Sequence, residues 1–258
     1  MKISCVIPVY NEAARVEKVL ADVAGHELID EIIIINDGST DNSEAILKNL
    51  VKKGGRLGAV SAGMSSGMGR GASAGVGFGG SAGASPGMRL ISYQKNKGKS
   101  CAVKIGIKEA KNEWIMTIDS DLVGLKSEDI TALIVPVASG AADVSMTLRK
   151  NSSLEFKLFG LDFVSGERVF NKSLIEDLEL LDKLPCFGLE VFLNERILKK
   201  KMRIKVVKWK NVITPRKSVK FGFWAGVKGD YKMVMEIISL IGVRGIVRQF
   251  LGMRKLRV

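Results

Sequence analysis

The run Ile115-Met116-Thr117-Ile118-Asp119-Ser120-Asp121 is apolar and strand-like until it ends in two carboxylates one residue apart. Along an extended segment, alternation sends Asp119 and Asp121 to the same side. Two like charges that close are unfavourable unless a cation, a hydrogen-bond donor or a phosphate-bound metal lies between them. At the end of a buried strand the pair opens into a cleft rather than bulk water. Asp37 likewise ends the apolar run Ile32-Ile33-Ile34-Ile35-Asn36 and leads into Gly38-Ser39-Thr40-Asp41. Asn96-Lys97-Gly98-Lys99 precedes a helical pattern, where backbone N–H groups favour anions; Lys99 reads either as a phosphate contact or as a solvated turn lysine. Glu190 opens an apolar helix, where a carboxylate is hard to explain as core and suits a general base. Arg149, Arg168 and Arg216 carry guanidinium groups fit for bidentate phosphate binding, although each alone reads more readily as a surface arginine and only the set weighs equally as functional. His26, the single histidine, ends the first helical pattern away from these groups, so a His-dependent mechanism is not expected.

The elements that position these residues alternate between strand and helix. Ile3 to Pro8 reads as a strand, Glu12 to Ala24 as a helix, and Glu31 to Asn36 as a strand buried on both faces. Thr40 to Val51 is a helix with capping oxygens at its start. Arg89 to Tyr93, Lys99 to Ala110 and Trp114 to Ile118 continue the series as strand, helix and strand. Such alternation predicts a parallel α/β sheet with right-handed crossovers, with ligands at the carboxyl ends of the strands. Beyond Asp121 the sequence predicts a helix over Ser127 to Val137, a strand over Asp143 to Thr147 and an extended segment over Phe163 to Asn171. Helices follow over Ser173 to Leu181 and Gly188 to Lys200, then an edge strand over Arg203 to Trp209. Lys228 to Leu251 reads as an amphipathic helix broken at Gly242 or Gly245.

Between the second helix and the third strand, Gly54 to Gly87 holds 13 Gly, 6 Ala and 6 Ser among 34 residues and no acid. It cannot bury enough apolar surface to offset its ordering entropy and reads as a flexible insertion, functional or foreign, whose deletion leaves the fold intact. Its Gly67-Met68-Gly69-Arg70-Gly71 is a poor phosphate loop, since no strand leads into it and no Gly-Lys-Ser/Thr ends it.

The chain has 258 residues, is 46% hydrophobic and carries a net charge of +13. From Arg196 onward eighteen Lys and Arg face only Asp230 and Glu236, a local charge of +16, which leaves the rest near −3. This asymmetry points to an anionic partner of the C-terminal part or to a solvated basic face. Lys220-Phe221-Gly222-Phe223-Trp224 and the helix after it suit an anionic membrane interface, or pack the tail onto the domain. Cys5, Cys101 and Cys186 are scattered and odd in number, which argues for a reducing, cytoplasmic setting. The N-terminus enters a strand directly, so no signal peptide is expected, and no run approaches a membrane span.

Val6-Ile7-Pro8-Val9-Tyr10-Asn11-Glu12, Ile35-Asn36-Asp37-Gly38-Ser39-Thr40-Asp41 and Asp119-Ser120-Asp121 together resemble the signatures of family 2 glycosyltransferases, a GT-A-fold group using nucleotide-sugar donors. The order and spacing match once the glycine-rich stretch is set aside, with Asn36 where the family often has a first Asp. The resemblance implies a Rossmann-like, mostly parallel GT-A sheet flanked by helices over residues 1–220, with 221–258 as a basic amphipathic tail. It implies a nucleoside diphosphate sugar of UDP or GDP type held by Pro8, Tyr10, Asn11, Glu12, Asp37, Lys99 and Asp119. Asp37 would accept the base N–H, Asp119 would lie near the ribose or metal, and Asp121 would bind Mg2+ or Mn2+ on the diphosphate.

Ser165-Gly166-Glu167-Arg168 resembles the Ser-Gly-x-Arg segment of branches that act on polyprenyl phosphates. Ser165 and Arg168, with Arg149 and Arg216, would then hold the acceptor. Phe187-Gly188-Leu189-Glu190 resembles a Gly-Phe-Gly-Leu-Glu segment in which Cys186 replaces the first Gly; Glu190 would be the base or would orient a phosphate acceptor. The implied activity is hexose transfer, with inversion, to a polyprenyl-phosphate or glycan acceptor at the inner membrane face. A sugar nucleotidyltransferase is a weaker reading, because Tyr10-Asn11-Glu12 stands where a basic glycine-rich loop is needed. A non-catalytic anion-binding protein is the reading from another class; nothing resembles a nucleic-acid module, and no nucleic acid is expected.

Overall fold

The computed structural model describes residues 1–52, 86–175, 179, 188–215 and 223–258, excepting the side chains of 223–234 and 236. Arg216, residues 54–85 of the glycine-rich stretch, the aromatic side chains from Phe221 to Trp224 and nearly all of 176–187 lie outside what is described.

Seven strands form one sheet. In chain order the elements are β1 (Ile3–Val9), α1 (Val16–Ala24), β2 (Glu31–Asp37), α2 (Ser43–Lys52), β3 (Gly87–Tyr93), α3 (Lys99–Glu109) and β4 (Trp114–Thr117). There follow α4 (Ser127–Ala138), β5 (Val144–Arg149), α5 (Leu154–Phe159), β6 (Arg168–Asn171), a 3-10 turn at Lys172–Leu174, α6 (Gly188–Lys199), β7 (Ile204–Trp209) and α7 (Phe223–Lys255). The strand order is β3-β2-β1-β4-β6-β5-β7. All neighbours are parallel except β6, which runs antiparallel to both β4 and β5.

The four isoleucines of β2 show why the sheet is buried on both sides. Ile32 and Ile34 join Ile7, Leu20 and Leu133 in the layer under α1, α2 and α4. Ile33 and Ile35 point the other way, to Val103 of α3 and Leu193 of α6. Period-2 alternation divides one apolar run between two cores.

The chain departs from the sequence expectation where local hydrogen bonds compete. α1 starts at Val16 rather than Glu12; the turn before it is held by the Glu12 carbonyl, which accepts from Arg15 and Val16, and by Ser43 Oγ, which accepts the Glu12 N–H (3.0 Å). The extended stretch from Phe163 becomes a strand only from Arg168. α5 has no counterpart in the sequence reading. α7 breaks at Gly242, whose φ of 65° lies in the left-handed region that glycine tolerates.

Candidate active site

The carboxyl ends of β1, β4 and β5 and the first turns of α3 and α6 converge on one cleft. β4 stops at Thr117, so Asp119 and Asp121 sit in the turn beyond it. Strand alternation therefore does not set their direction, contrary to the sequence expectation; their neighbours do. Lys99, the first residue of α3, brings Nζ to 2.7 Å and 3.0 Å from the two Asp119 oxygens. The same ammonium lies 3.9 Å from Glu190 in the first turn of α6. Burial works to lower the Lys99 pKa, but Asp119 and Glu190 outweigh it and hold the ammonium charged well above its ordinary range. Burial raises the Glu190 pKa, against the pull of Lys99 and Arg168.

Gly166 explains a glycine in this segment. A Cβ there would press on Lys99 Nζ and come within 3.0 Å of Asp119 Oδ1. The backbone of 166 thus closes over the Lys99–Asp119 pair, and Pro8 and Leu189 line the same small cavity.

Arg149, at the end of β5, forms the other wall. Its Nη1 donates to Glu167 Oε1 (2.7 Å) and Thr214 Oγ1 (3.0 Å) and lies 3.8 Å from Asp119. Its Nη2 is 3.9 Å from Asp162. Burial lowers its pKa, yet Glu167, Asp119, Asp162 and Asp121 together more than restore it. Glu167 is fully buried, and its Oε2 also accepts from Thr147 (2.7 Å) and Ser165 (2.9 Å). It fixes the arginine in place. Glu167 stands at the variable position of the Ser-Gly-x-Arg resemblance, and the acid next to Arg168 is the one sequence signal for it.

Two residues assigned to the acceptor are buried beneath this cleft, and Arg168 lines the same small cavity as Lys99 and Glu190. Ser165 is fully buried, with its hydroxyl bonded to Thr147 and Glu167. The Arg168 guanidinium is buried under the cleft and donates to three chain oxygens. These are Ser165 O (2.8 Å), Asn194 Oδ1 (2.7 Å) and Phe163 O (2.7 Å). Burial lowers its pKa to about 10. Both buttress the cleft from below, Arg168 at the start of β6 and Ser165 in the turn before it.

The β1 and β2 ends form the third side. Asp37 Oδ1 and Oδ2 accept the Lys97 and Gly98 N–H groups, each at 2.8 Å. Burial raises its pKa, with those two N–H groups opposing. Its oxygens clamp the loop ahead of α3, so a base N–H would meet only their remaining lone pairs. Asn11, at φ 54°, ties the loop after β1 to the loop after β2 through Oδ1, which accepts from Thr40 N (2.7 Å). Glu12 is buried and paired with Arg15 (3.2 Å), whereas Tyr10 is exposed. Asp41 caps α2 by accepting from Ser43 N (2.9 Å). His26 is a buried core residue bonded to Thr131 (2.9 Å).

Asp119 and Asp121 offer only oxygen ligands, which suits a hard divalent cation. Among the described residues no group of three or more His, Cys, Asp or Glu gathers as a metal centre. A cation held here would take its other ligands from a bound diphosphate and water.

The sheet order, the acidic turn after the central strand and the basic loop before α3 define a GT-A glycosyltransferase fold. The chain belongs to Glycosyl transferase family 2, whose sequence profile matches residues 4–77 and 81–200. It is 27% identical over 155 residues to a dodecaprenyl-phosphate galacturonate synthase of Rhizobium johnstonii, covering 58% of this chain and 37% of that protein. It is 28% identical over 156 residues to an undecaprenyl-phosphate 4-deoxy-4-formamido-L-arabinose transferase of Sodalis glossinidius, again 58% of this chain and 37% of the relative. The chain thus spans little more than a third of either relative's length. Among solved structures, a glucosyl-3-phosphoglycerate synthase from Mycobacterium tuberculosis in complex with Mn2+, UDP-glucose and phosphoglyceric acid superposes with a TM-score of 0.60 at 17% identity. That match covers 92% of this chain and 79% of that one.

Proposed function

We propose that the chain transfers a hexose, with inversion, from a UDP- or GDP-type sugar to a lipid-linked phosphate or glycan acceptor at a membrane surface. The observation that carries this is the cluster of Lys99, Asp119, Glu190 and Arg149 at the carboxyl ends of the strands. The relatives named for polyprenyl phosphates support the acceptor class.

Each group has a task the reaction needs. The loops after β1 and β2, with Tyr10 and Asp37, receive the base. Asp121, with Asp119, would hold Mg2+ or Mn2+, which when bound supplies positive charge to the departing diphosphate. Lys99 keeps Asp119 in position and adds a fixed cation beside the phosphates. Glu190, with its raised pKa, takes the proton of an acceptor hydroxyl; for a phosphate acceptor, which needs no strong base, it orients the nucleophile. Arg149, held by Glu167, faces the acceptor's charge. No helix among the described residues is long and apolar enough to cross a membrane.

Thermal shift with UDP-, GDP- and dTDP-sugars, with and without Mn2+, followed by transfer to a polyprenyl phosphate, tests the reading. One nucleotide should stabilise the protein more in the presence of metal, and Asp121→Ala should abolish transfer. Stabilisation by none of them, or transfer unchanged in Asp121→Ala, would overturn it.

A further inference from the structure

Most of the large apolar side chains exposed among the described residues lie on α5 and α7. On α5, Leu154 is 68% and Leu158 75% exposed. On α7 beyond Gly242, Val243, Val247 and Leu251 recur every four residues and so form one stripe along the helix; all three are exposed. Gln249 and Met253, on another face, are buried, and Gln249 Nε2 donates to the Val191 carbonyl of α6 (3.0 Å).

The two helices form one surface. The Phe250 ring stands edge-on to Phe159 at 4.9 Å and contacts Phe163 at 6.0 Å. Arg257 Nη1 donates to the Phe159 and Gly160 carbonyls, both at 2.8 Å, and the Arg254 guanidinium lies 5.7 Å from the Phe159 ring. The chain from Ile237 to Val258 holds five basic residues and no acid.

We propose that this surface docks on an anionic lipid bilayer, with Leu154, Leu158 and the α7 stripe entering the interface and the flanking arginines meeting lipid phosphates. An apolar stripe bordered by arginines is the pattern of an interfacial helix, and the charge selects the occupant. Arg248 is offset by Glu195 of α6 (2.7 Å), but Arg244, Arg254 and Lys255 keep the face cationic, which an anionic bilayer attracts and a second copy of the same charge repels. The surface also adjoins the acceptor side of the cleft. α5 follows the end of β5 within five residues of Arg149, and Asp162, beside Arg149, precedes the Phe163 that meets Phe250. The inference goes beyond the glycosyl-transfer reading, which requires a membrane-borne acceptor but no particular docking face.

Co-sedimentation of the full chain with vesicles of equimolar phosphatidylglycerol and phosphatidylcholine, or of phosphatidylcholine alone, tests it. The wild type should partition onto the anionic vesicles and hardly at all onto the neutral ones. Leu158→Glu with Leu251→Glu should lower that partition about tenfold or more, and Leu158→Trp should raise it. Equal binding to both vesicle types, no binding, or wild-type binding by the double variant would overturn the proposal. So would a wild-type dimer by light scattering that the double variant dissolves, which assigns the face to a second copy. Stabilisation by inorganic phosphate without vesicle binding would assign the arginines to free phosphate and also overturn it. A wild type that does not bind anionic vesicles but keeps its nucleotide-dependent thermal shift sinks the docking surface alone; a wild type that binds them without any nucleotide-dependent shift sinks the glycosyl-transfer reading alone.

Discussion

Lys99 Nζ sits 2.7 Å from Asp119 Oδ1, joining the first residue of α3 to the turn after β4. A cation in the first turn of a helix opposes the helix dipole. Asp119 and Glu190 offset that local conflict, and such conflicts collect at functional sites. The pair therefore holds two elements and the charge of the cleft in one arrangement.

Gly166→Ala tests how closely that arrangement is set. The added methyl would push on Lys99 Nζ and stand 3.0 Å from Asp119 Oδ1. Residue 166 does not lie in the left-handed region, so the backbone accepts alanine. Displacement of the pair by about 1 Å should cost transfer about 100-fold, while the melting temperature changes little. Unimpaired transfer by the variant would show that the pair's position does not matter to the reaction.

The pH profile follows from Glu190. Burial raises its pKa above the ordinary 4.5, with Lys99 and Arg168 pulling it down. As a base it works ionised, so transfer should fall as the pH drops through the raised value, on an acid limb above 4.5. Lys99→Met removes one of the opposing cations and should move that limb to higher pH. Glu190→Gln should cost about 10²–10⁴ in rate and erase the limb; a limb that persists would exclude Glu190 as its source. The stability sign is also fixed. The folded protein holds this proton more tightly than the unfolded chain, so its contribution is complete below 4.5 and is lost as pH rises through the shifted value.

The Arg149–Glu167 pair should be worth more to stability than any surface ion pair. Glu167→Ala would leave the Thr147 and Ser165 hydroxyls and Arg149 Nη1 without a shared acceptor. Breaking a buried pair costs about 3–5 kcal/mol. Glu167→Gln keeps the shape and should cost about 1–3 kcal/mol. Urea unfolding measures both, and a loss below about 1 kcal/mol for the alanine variant would refute the buttress role.

The strand series through β4 was legible because a two-sided sheet needs apolar runs such as Ile32 to Ile35, and because turns end them at Asp37 and Asp119. What the chain does not carry locally is pairing. Antiparallel insertion of β6 between β4 and β5 is a long-range event, and it alone sets the Glu167 backbone against Thr147 and sends Arg168 inward. The resemblance of the Ser165–Arg168 segment assigned Ser165 and Arg168 to an acceptor, but it carried no sign that both side chains are buried and hydrogen-bonded within the protein. α5 escaped because six residues with outward leucines show no buried stripe. The break in α7 was readable to within two glycines, Gly242 and Gly245, since the combination of φ 65° and ψ 168° at Gly242 is one that glycine takes without strain.

Asp119 and Asp121 should separate by role when each is changed to asparagine. Asp119 is bound to Lys99, so Asp119→Asn weakens the ion pair and should reduce nucleotide stabilisation with and without metal. Asp121 is proposed as the direct ligand, so Asp121→Asn should remove only the additional stabilisation that Mn2+ brings to the nucleotide complex. The Asp119 variant carries a second signature. With Asp119 neutralised, Lys99 has Glu190 as its remaining close carboxylate at 3.9 Å, and the Glu190 proton should leave more readily. The acid limb should then shift to lower pH in Asp119→Asn, opposite to its shift in Lys99→Met. Movement of both limbs in the same direction would show that Lys99 is not the cation governing Glu190.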